Sequence, residues 1–587
     1  MSDKALVTLQ INGITVEVPA GTTILDAARK VHVKIPTLCF HHDLKAGASC
    51  GICVVRNAGS PKLLRACCTE ASPGMSITTH DADIVGVRRT VLELILANHP
   101  NDCLQCPRSG NCELQKLAAD FGVRDNPYPR EVIQAPIDDS TPSIVLNPEK
   151  CIKCGRCVDV CQNMQDVWAL EFIGRGEKTR MRPAVGFDLN DSPCIKCGQC
   201  SAHCPVGAIY ENDETGKVWS ALRDPEKTCV VQIAPAVRVA VGEAFDMKPG
   251  EISTGKIYAA LRRLGFNKIF DTNYSADVTI MEEGTEFIKR FTTGGTLPLI
   301  TSCCPAWTDW MEKYAPDFTE NFSSAKSPQQ MLSALAKTYW AEKNGVDPKR
   351  IHVTSIMPCT AKKFEISRHD TMSATGQQDT DVVLTTRELA RMIKSAGIDF
   401  ADLPEENADE LLGAYTGAAT IFGVTGGVME AALRTAYCLI TKKDAPPKIE
   451  FEAVRGMEGV KEAVIDIDGI KVKIAVAHQM GNVEAVLNLV REDIKAGKKP
   501  RYDFIEVMAC RGGCIGGGGQ PCLATDEIRA LRTAGIYKDD ERSTLRMSHL
   551  NPQVTALYAD YLGEPGSHKA EELLHTHYTV REVYKKG

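Results

Sequence analysis

Cysteine is the feature that most constrains this sequence: 24 of its 587 residues are cysteine, and sixteen of them fall between residues 39 and 204. Disulfide-stabilised scaffolds are small secreted domains, whereas this chain is long. Its N-terminus has no basic segment followed by an apolar core, so we expect no signal peptide. In a reducing compartment, clustered cysteines are metal or redox sites. The sequence therefore predicts a cytoplasmic protein with several metal centres.

The rest of the composition is that of an ordinary folded protein, with 43% hydrophobic and 24% charged residues. No apolar run approaches the roughly 18 residues of a membrane-spanning helix, so we expect no membrane span. The net charge is −7, with acidic and basic residues mixed along the chain. This pattern argues against a nucleic-acid partner.

The first cysteine set follows a predicted β-hairpin over residues 5–18 and a short helix capped by Thr22 or Thr23. Its spacing is C-x10-C-x2-C-x13-C, formed by Cys39, Cys50, Cys53 and Cys67. A close pair with a remote fourth thiolate is typical of 2Fe–2S ferredoxins, and the segment resembles a 2Fe–2S ferredoxin-like β-grasp domain. A zinc site is the alternative.

The second set follows an amphipathic helix that we predict between Asp83 and Asn98. Its spacing is H-x3-C-x2-C-x5-C, formed by His99, Cys103, Cys106 and Cys112. Ligand count alone also allows structural zinc. Beside a ferredoxin-like domain, the set resembles the His-ligated 4Fe–4S cluster of respiratory NADH dehydrogenase, so we expect a cluster. Residues 124–145, which contain four prolines, are predicted to form a linker.

A duplicated run of four cysteines comes next, with spacing C-x2-C-x2-C-x3-C in both copies. In bacterial two-cluster ferredoxins the fourth cysteine of each run binds the other cluster. We therefore expect one 4Fe–4S cluster on Cys151, Cys154, Cys157 and Cys204. The second is expected on Cys194, Cys197, Cys200 and Cys161.

From about residue 228 the sequence alternates apolar strand-like runs with helical stretches, which is typical of an α/β domain. Several of these runs end at cysteine, and open α/β sheets bind ligands just past their strand ends. Four thiolates on separate strand ends can surround one 4Fe–4S cube: Cys304, Cys359, Cys510 and Cys514. A simple fifth cluster leaves Cys303, two flanking methionines and Lys362 without a role.

Three motifs in this half, in this order, resemble the signatures of FeFe-hydrogenase: residues 301–307 (TSCCPAW), 357–365 (MPCTAKKFE) and 506–521 (EVMACRGGCIGGGGQP). The resemblance covers essentially the whole chain, in the long form with four accessory clusters. The stretch from residue 548 to residue 578 is similar to the family's small-subunit region. The resemblance implies reversible conversion of H2 to protons and electrons at an H-cluster, a 4Fe–4S cube joined to a di-iron subsite with CO, CN and dithiolate ligands.

The resemblance also implies roles for single residues in the catalytic pocket. Among the cube ligands, Cys514 bridges to the di-iron subsite. Lys362 donates a hydrogen bond to one cyanide, which suits its ammonium group. Met357 and Met508 form an apolar, polarisable wall, and Gln329 lines the same pocket. Backbone at Ala234, Pro235 and Ala236 approaches the other cyanide; some relatives have serine where this chain has Ala236.

A proton path is implied as well, running from Cys303 through Glu283, Ser323 and Glu286 to Arg290. The two glutamates are spaced i, i+3 on a predicted helix, and Arg290 follows Glu286 at i+4, so these side chains share a face. Without the resemblance, an ordinary solvated helix surface would be the simpler interpretation.

The implied fold is multidomain, combining α+β and α/β parts. Its predicted divisions are a 2Fe–2S ferredoxin-like domain over 1–80, a 4Fe–4S domain with one histidine and three cysteine ligands and a linker over 81–145, a two-cluster 4Fe–4S ferredoxin domain over 146–215, a two-lobed α/β H-cluster domain over 216–520, and a small-subunit-like region over 521–587. The implied partners are H2 and protons, ferredoxin, NAD(P)H- or flavin-containing hydrogenase subunits, and hydrogenase maturation proteins.

Two other classes of function compete with this one. An electron-transfer subunit of an NADH or formate dehydrogenase shares the accessory clusters, but the three later cysteine motifs argue against it. An assembly factor or hydrogen sensor on the same fold often loses the relay cysteine or parts of the proton path, and this chain keeps both. Cys68, Cys229, Cys438 and Cys522 are expected to pack in the core, and His575 and His577 to contact solvent or a partner.

Overall fold

The computed structural model describes residues 5–584, apart from residues 130, 131, 133, 369, 444–451, 454–456 and 468. A five-stranded N-terminal sheet, two two-stranded sheets, and a four-stranded and a five-stranded sheet make up the β-structure of these residues. None of the described helices is both long and apolar enough to cross a membrane.

The N-terminal sheet begins with the predicted hairpin. Alternate residues of Leu6–Ile11 are buried, and Asn12 and Gly13 both have positive φ, as a tight two-residue turn requires. Thr23 caps the following helix by accepting a hydrogen bond from the backbone N–H of Asp26. In sheet order the strands are Ile14–Pro19, Leu6–Ile11, Ser76–Thr78, Val54–Asn57 and Leu63–Arg65, with the helix Ile24–Lys30 beside them.

The middle of the chain is built from short elements around its cysteines. Its helices and strands are Ala82–Ala97, Glu113–Asp120, Ile144–Leu146, Arg156–Asp159, Glu171–Ile173, Arg180–Arg182, Gln199–His203 and Ile209–Glu211. The predicted linker over 124–145 is wrong at its end, because Ile144–Leu146 is a buried strand paired with Ile209–Glu211. Residues 130, 131 and 133 of that stretch lie outside the described residues.

Two sheets form the larger C-terminal part. The first is wholly parallel, in the order Lys268–Asp271, Thr228–Ile233, Ile351–Met357 and Val382–Thr385. The second has the order Leu299–Ile300, Phe504–Met508, Ile470–His478, Val460–Ile467 and Glu452–Ala453. The apolar runs predicted as strands are confirmed, since parallel strands covered on both faces are continuously apolar. Val460–Ile467 was not predicted.

Helices cover both sheets and form the C-terminal region. They are Thr215–Arg223, Thr254–Leu264, Thr272–Thr293, Pro305–Tyr314, Pro328–Leu335, Ala341–Asn344, Lys362–Glu365, Thr386–Ser395, Gly417–Thr420, Gly427–Thr441, Met480–Lys495, Asp526–Arg542, Pro552–Leu557 and His568–Leu574. The carboxyl ends of strands from both sheets meet at one cavity, which fits the general rule for ligand sites in α/β folds.

Candidate active site and accessory metal sites

A largely apolar cavity lies where the two sheets meet, and it gathers most of the predicted pocket residues. Its walls include Ala234, Pro235, Cys303, Cys304, Gln329, Met357, Cys359, Lys362, Met508, Cys510 and Cys514. Ala236 directly follows Pro235, and its carbonyl accepts a hydrogen bond from Nε2 of Gln520 at 2.8 Å. Ala234 and Pro235 reach the cavity as expected, and the approach of the Ala236 backbone stays a prediction.

The four cysteines expected to hold the cube suit a cationic iron centre. Burial, followed by the charge of neighbouring Cys304, raises the pKa of both Cys359 and Cys514 to about 12. Thiolates crowded in an apolar site need a compensating cation, which iron supplies. The backbone segments around the site approach each other closely at Gly517. A Cβ atom there would lie 2.2 Å from the carbonyl oxygen of Pro358, so this position requires glycine.

Lys362 is held at the cavity wall by an ion pair. Its Nζ lies 2.9 and 3.1 Å from the two carboxylate oxygens of Glu365 and donates to the carbonyl of Cys303 at 3.1 Å. Burial lowers the pKa of Lys362, but the Glu365 carboxylate more than offsets it, so the net pKa is raised. The same carboxylate accepts from Ser327 and from Nε2 of Gln329, both at 3.0 Å.

The residues of the predicted proton path are neighbours in space. Ser323 Oγ donates to Glu286 at 2.9 Å, and Arg290 donates to the other Glu286 oxygen at 2.6 Å. Glu283 lies close enough to Ser323 for its pKa to respond to that hydroxyl. Burial, and then the nearby Glu283 carboxylate, raises the pKa of Cys303 well above its usual range. The series thus runs from the cavity wall to the partly exposed Glu286–Arg290 pair.

Glu283 is the deeply buried member of this series. Burial and the charge of Glu286 raise its pKa to about 8, although the nearby Ser323 hydroxyl favours the ionised form. A carboxyl group with a pKa near the operating pH can both accept and release a proton.

The duplicated cysteine run forms two separate cavities, each with the predicted crossed set. One is lined by Cys151, Cys154, Cys157 and Cys204. The other is lined by Cys161, Cys194, Cys197 and Cys200. The fourth cysteine of each run thus lies with the first three of the other.

The two N-terminal ligand sets are more open. Cys50 lowers the pKa of Cys39 to about 5, and Cys67 lowers the pKa of Cys53 to about 7, so each pair of thiols lies close together. His99 is buried just beyond the helix Ala82–Ala97, and its Nδ1 accepts from the backbone of Asn101 at 3.3 Å. Cys103 and Cys106 share one turn, and Cys112 is close enough for its pKa to respond to Cys106.

Donor spacing favours clusters over single ions at these sites. Within the described part of the chain, the only three-residue group whose donor atoms all lie within 4.8 Å of one another is His41, Asp43 and His203. No three of the expected cluster ligands are so close. A single zinc ion would bring its thiolates within about 4 Å of each other. Asp43 in the close group also forms an ion pair with Arg529.

Some unassigned residues lie elsewhere than predicted. Core packing is confirmed for Cys229 and Cys438, which are buried, but it is wrong for Cys68, which is exposed. Cys522 is half-buried at a cleft beside Arg387. His577 is exposed, whereas the His575 side chain is only 13% exposed and contacts Glu282.

Sequence reasoning missed several residues at the cavity. Thr272, Ala276, Pro305, Pro328, Pro358, Phe422, Ala509, Gly513 and Gly517 also line it. Glu365, the carboxylate behind Lys362, was also missed, although it ends the second motif. A lysine expected in an apolar pocket was the one signal for it, since buried ammonium groups are nearly always paired.

Comparison with known protein families matches the chain almost throughout. Residues 227–518 match the C-terminal domain of the iron-only hydrogenase large subunit, and residues 526–581 match the iron hydrogenase small subunit. Residues 4–82 match a 2Fe-2S iron-sulfur cluster binding domain, residues 88–127 the NADH-ubiquinone oxidoreductase-G iron-sulfur binding region, and residues 150–208 a 4Fe-4S dicluster domain.

Full-length relatives are similar over the same extent. The chain is 46% identical to the NADP-reducing hydrogenase subunit HndD of Solidesulfovibrio fructosivorans, covering 98% of this chain and all of that one. It is 41% identical to iron hydrogenase 1 of Clostridium pasteurianum, covering 97% and 99%. An apo structure of FeFe-hydrogenase HydA1 from Chlamydomonas reinhardtii matches 63% of this chain and all of its own, with 42% identity and a TM-score of 0.57. The chain therefore belongs to the FeFe-hydrogenase family and is a multidomain iron–sulfur hydrogenase.

Proposed function

We propose that this enzyme interconverts H2 with protons and electrons at an H-cluster in the cavity between its two sheets, and exchanges the electrons through four accessory clusters. One observation carries the proposal. A single apolar cavity gathers four cysteines from three strand ends, a fifth cysteine beside them, two methionines and one paired lysine.

The cavity residues have distinct tasks in this proposal. Cys304, Cys359, Cys510 and Cys514 hold the iron group, which supplies an open coordination position at iron when it is bound. Lys362 and the backbone N–H of Ala236 offer donors to its anionic ligands, because Pro235 has no N–H. Met357, Met508 and the other apolar wall residues exclude water.

Protons move between cavity and solvent along the side chains of Cys303, Glu283, Ser323, Glu286 and Arg290. In support, the hydrogen bonds from Ser323 and Arg290 to Glu286 measure 2.9 and 2.6 Å. The raised pKa of Glu283, about 8, suits a group that must be protonated and deprotonated in each turnover. Arg290 orients the outer carboxylate through its hydrogen bond to Glu286.

Electrons leave through the cluster whose ligands include Cys197. A Cβ atom on Gly518, in the third motif, would lie 2.2 Å from the Cys197 carbonyl oxygen, so this site adjoins the catalytic cavity.

The neighbouring Cys151 set then meets both N-terminal sets. Ser49 donates to the carbonyl of Cys154, and a Cβ atom on Gly207 would contact the Cys106 thiol. We therefore propose a chain that forks towards the 2Fe–2S cluster and the His-ligated cluster.

The fork suits more than one electron partner. The name of HndD, a full-length relative, describes an NADP-reducing hydrogenase subunit. We propose that this chain likewise works in the cytoplasm, with ferredoxin and with flavin-containing, NAD(P)-reducing subunits. Anaerobic purification of the native assembly tests this, by identification of flavin and co-purifying subunits. Isolation of the chain alone, with no flavin and no transfer to NAD(P), would contradict it.

Metal analysis tests the cofactor set. Protein produced with hydrogenase maturation proteins should contain about twenty irons: one 2Fe–2S cluster, three accessory 4Fe–4S clusters and the six irons of the H-cluster. It should show infrared bands of bound CO and CN and evolve H2. Protein produced without maturation is the control, and it should show neither the infrared bands nor H2 evolution. Matured protein without these bands would refute the proposed site.

We also propose that the chain is organised into the five domains predicted from its sequence, with limits at residues 80, 215 and 520 and with the limit predicted at 145 moved to before the strand Ile144–Leu146, which pairs with Ile209–Glu211. Separate expression of residues 1–80 tests the first limit. This segment should bind a 2Fe–2S cluster by itself, because its five strands bury a core of their own.

A further inference from the structure

The C-terminal residues 574–578 lie alongside residues 323–326, which include the serine of the proposed proton path. Lys326 N–H donates to the carbonyl of Leu574, and Thr576 N–H donates to the carbonyl of Ser324, both at 2.8 Å. Ala325 and His575 are an antiparallel pair between these hydrogen bonds. The two segments therefore form a short, two-stranded contact between regions about 250 residues apart.

His575 bridges this contact to the helix Thr272–Thr293. Its Nε2 lies 3.1 Å from Oε2 of Glu282, and its Nδ1 lies 2.8 Å from Oγ of Ser324. A carboxylate can only accept, so Nε2 carries the proton in this pair. In the neutral imidazole, Nδ1 then accepts from the Ser324 hydroxyl.

Glu282 is a firm anchor for this imidazole. Its side chain is fully buried and also accepts from the Tyr558 hydroxyl at 2.5 Å and from Gly566 N–H at 2.8 Å. Both of these donors belong to the C-terminal region. Glu282 thus joins that region to the helix that carries Glu283 and Glu286.

Ser324 connects the bridge to the proposed proton path. Its N–H donates to Oε2 of Glu286 at 3.2 Å, and Ser323 Oγ donates to the same oxygen at 2.9 Å. The Tyr578 hydroxyl donates to the Ser323 carbonyl at 2.6 Å. The C-terminal segment therefore holds both serines that fix the Glu286 carboxylate.

We infer that His575 is a positioning residue for proton transfer: through Ser324 and Glu282 it fixes the distance from Ser323 to Glu286. This rests on the proposed function, because it requires protons to pass Ser323. The imidazole touches neither Cys303 nor the cavity lining, so its loss should leave the metal group intact. A misplacement of about 1 Å in such a relay can cost about 10²-fold in rate.

The test compares matured full-length variants. His575→Leu should evolve H2 about 10- to 100-fold more slowly than the wild type. Its solvent deuterium isotope effect should be larger, because proton exit becomes rate-limiting, while iron content and the CO and CN infrared bands stay unchanged. His575→Gln, which can still donate to Glu282, should recover part of the rate. His568→Leu, at an exposed histidine that begins the helix His568–Leu574 just before His575, is the matched control and should behave as wild type.

The outcomes separate this inference from the proposed function. Wild-type rates in His575→Leu, or a slower rate that tracks loss of iron or shifted infrared bands, would overturn the positioning role. Ser323→Ala in the same assay tests the path itself. A slow Ser323→Ala with a fast His575→Leu rejects only the inference, whereas a fast Ser323→Ala rejects the path.

Discussion

The carboxylate of Glu365 lies 2.9 Å from the ammonium of Lys362 in the wall of the catalytic cavity. It is buried and also accepts hydrogen bonds from Ser327 and Gln329. One side chain therefore orients two residues, Lys362 and Gln329, that are expected to face the metal group.

Removal of this carboxylate should be visible at the metal group. In Glu365→Gln, the Lys362 ammonium loses its charge partner and should turn further towards the anionic ligands. We expect shifted CN infrared bands in matured protein with unchanged iron content. Breaking a buried ion pair costs about 3–5 kcal/mol, so the free energy of unfolding should fall as well.

A neighbouring ion pair offers a control for this variant. Lys363, the next residue, is fully buried and donates to Glu388 at 3.0 Å, but it does not line the cavity. Glu388→Gln should destabilise the protein similarly and leave the infrared bands unchanged. Equal infrared shifts in both variants would mean that the effect is general destabilisation.

Glu283 should titrate near neutral pH. Because burial and Glu286 raise its pKa to about 8, infrared difference spectra should show a carboxylic acid signal with a midpoint near pH 8 that is missing in Glu283→Gln. The raised pKa also makes the free energy of unfolding depend on pH. The contribution of Glu283 to that free energy is fully present below about pH 4.3, the pKa of the residue in the unfolded chain, and is lost as pH rises to about 8. A midpoint near pH 4 would contradict the burial of Glu283 beside Glu286.

The crossed ligand sets predict which cluster each cysteine affects. Cys161→Ser should perturb the cluster on Cys194, Cys197 and Cys200, although Cys161 belongs to the other run in the sequence. Paramagnetic resonance of the reduced protein should show one altered 4Fe–4S signal. Cys229→Ser, at a buried cysteine outside both cavities, is the control and should alter none. A change in the signal assigned to the Cys151 set would reject the crossing.

Ligand identity should set the potential of the second N-terminal cluster. His99→Cys replaces a neutral imidazole by an anionic thiolate, so the cluster should be retained with a lower reduction potential. H2 evolution from a reduced dye should survive in part, because the other branch of the fork is intact. If metal analysis found one zinc ion per chain at this site, in wild type or variant, the site could not belong to the electron-transfer chain.

The sequence could predict the ligand sets because their chemistry is local. Two or three thiolates on one tight turn are recognisable from spacing, and buried parallel strands are recognisable as continuous apolar runs. The strand Val460–Ile467 was missed because its sequence is neither a continuous apolar run nor a regular apolar–polar alternation: the apolar Val464 lies exposed between buried Ala463 and Ile465. Ile144–Leu146 was missed because the prolines before it suggested a linker.

Other features depend on contacts between distant segments. Gln520 donates to the carbonyl of Ala236 across 284 positions of the chain. His575 meets Ser324 across 251 positions, and no periodicity in either segment signals that contact. Such pairings follow from how the sheets and the C-terminal region pack, which spacing along the chain does not encode.

Cys303 provides the most direct test of the account, because it is the cysteine at the cavity that the cube does not need. Its thiol lies between the cavity and Glu283, so Cys303→Ala should interrupt proton transfer and leave all four cube ligands in place. Infrared bands and iron content should persist, while H2 turnover should fall by at least the factor of about 10²–10⁴ typical of a lost acid–base group. Cys303→Asp should restore part of the rate. Near-normal turnover in Cys303→Ala would contradict the proposed route from the metal group to Arg290.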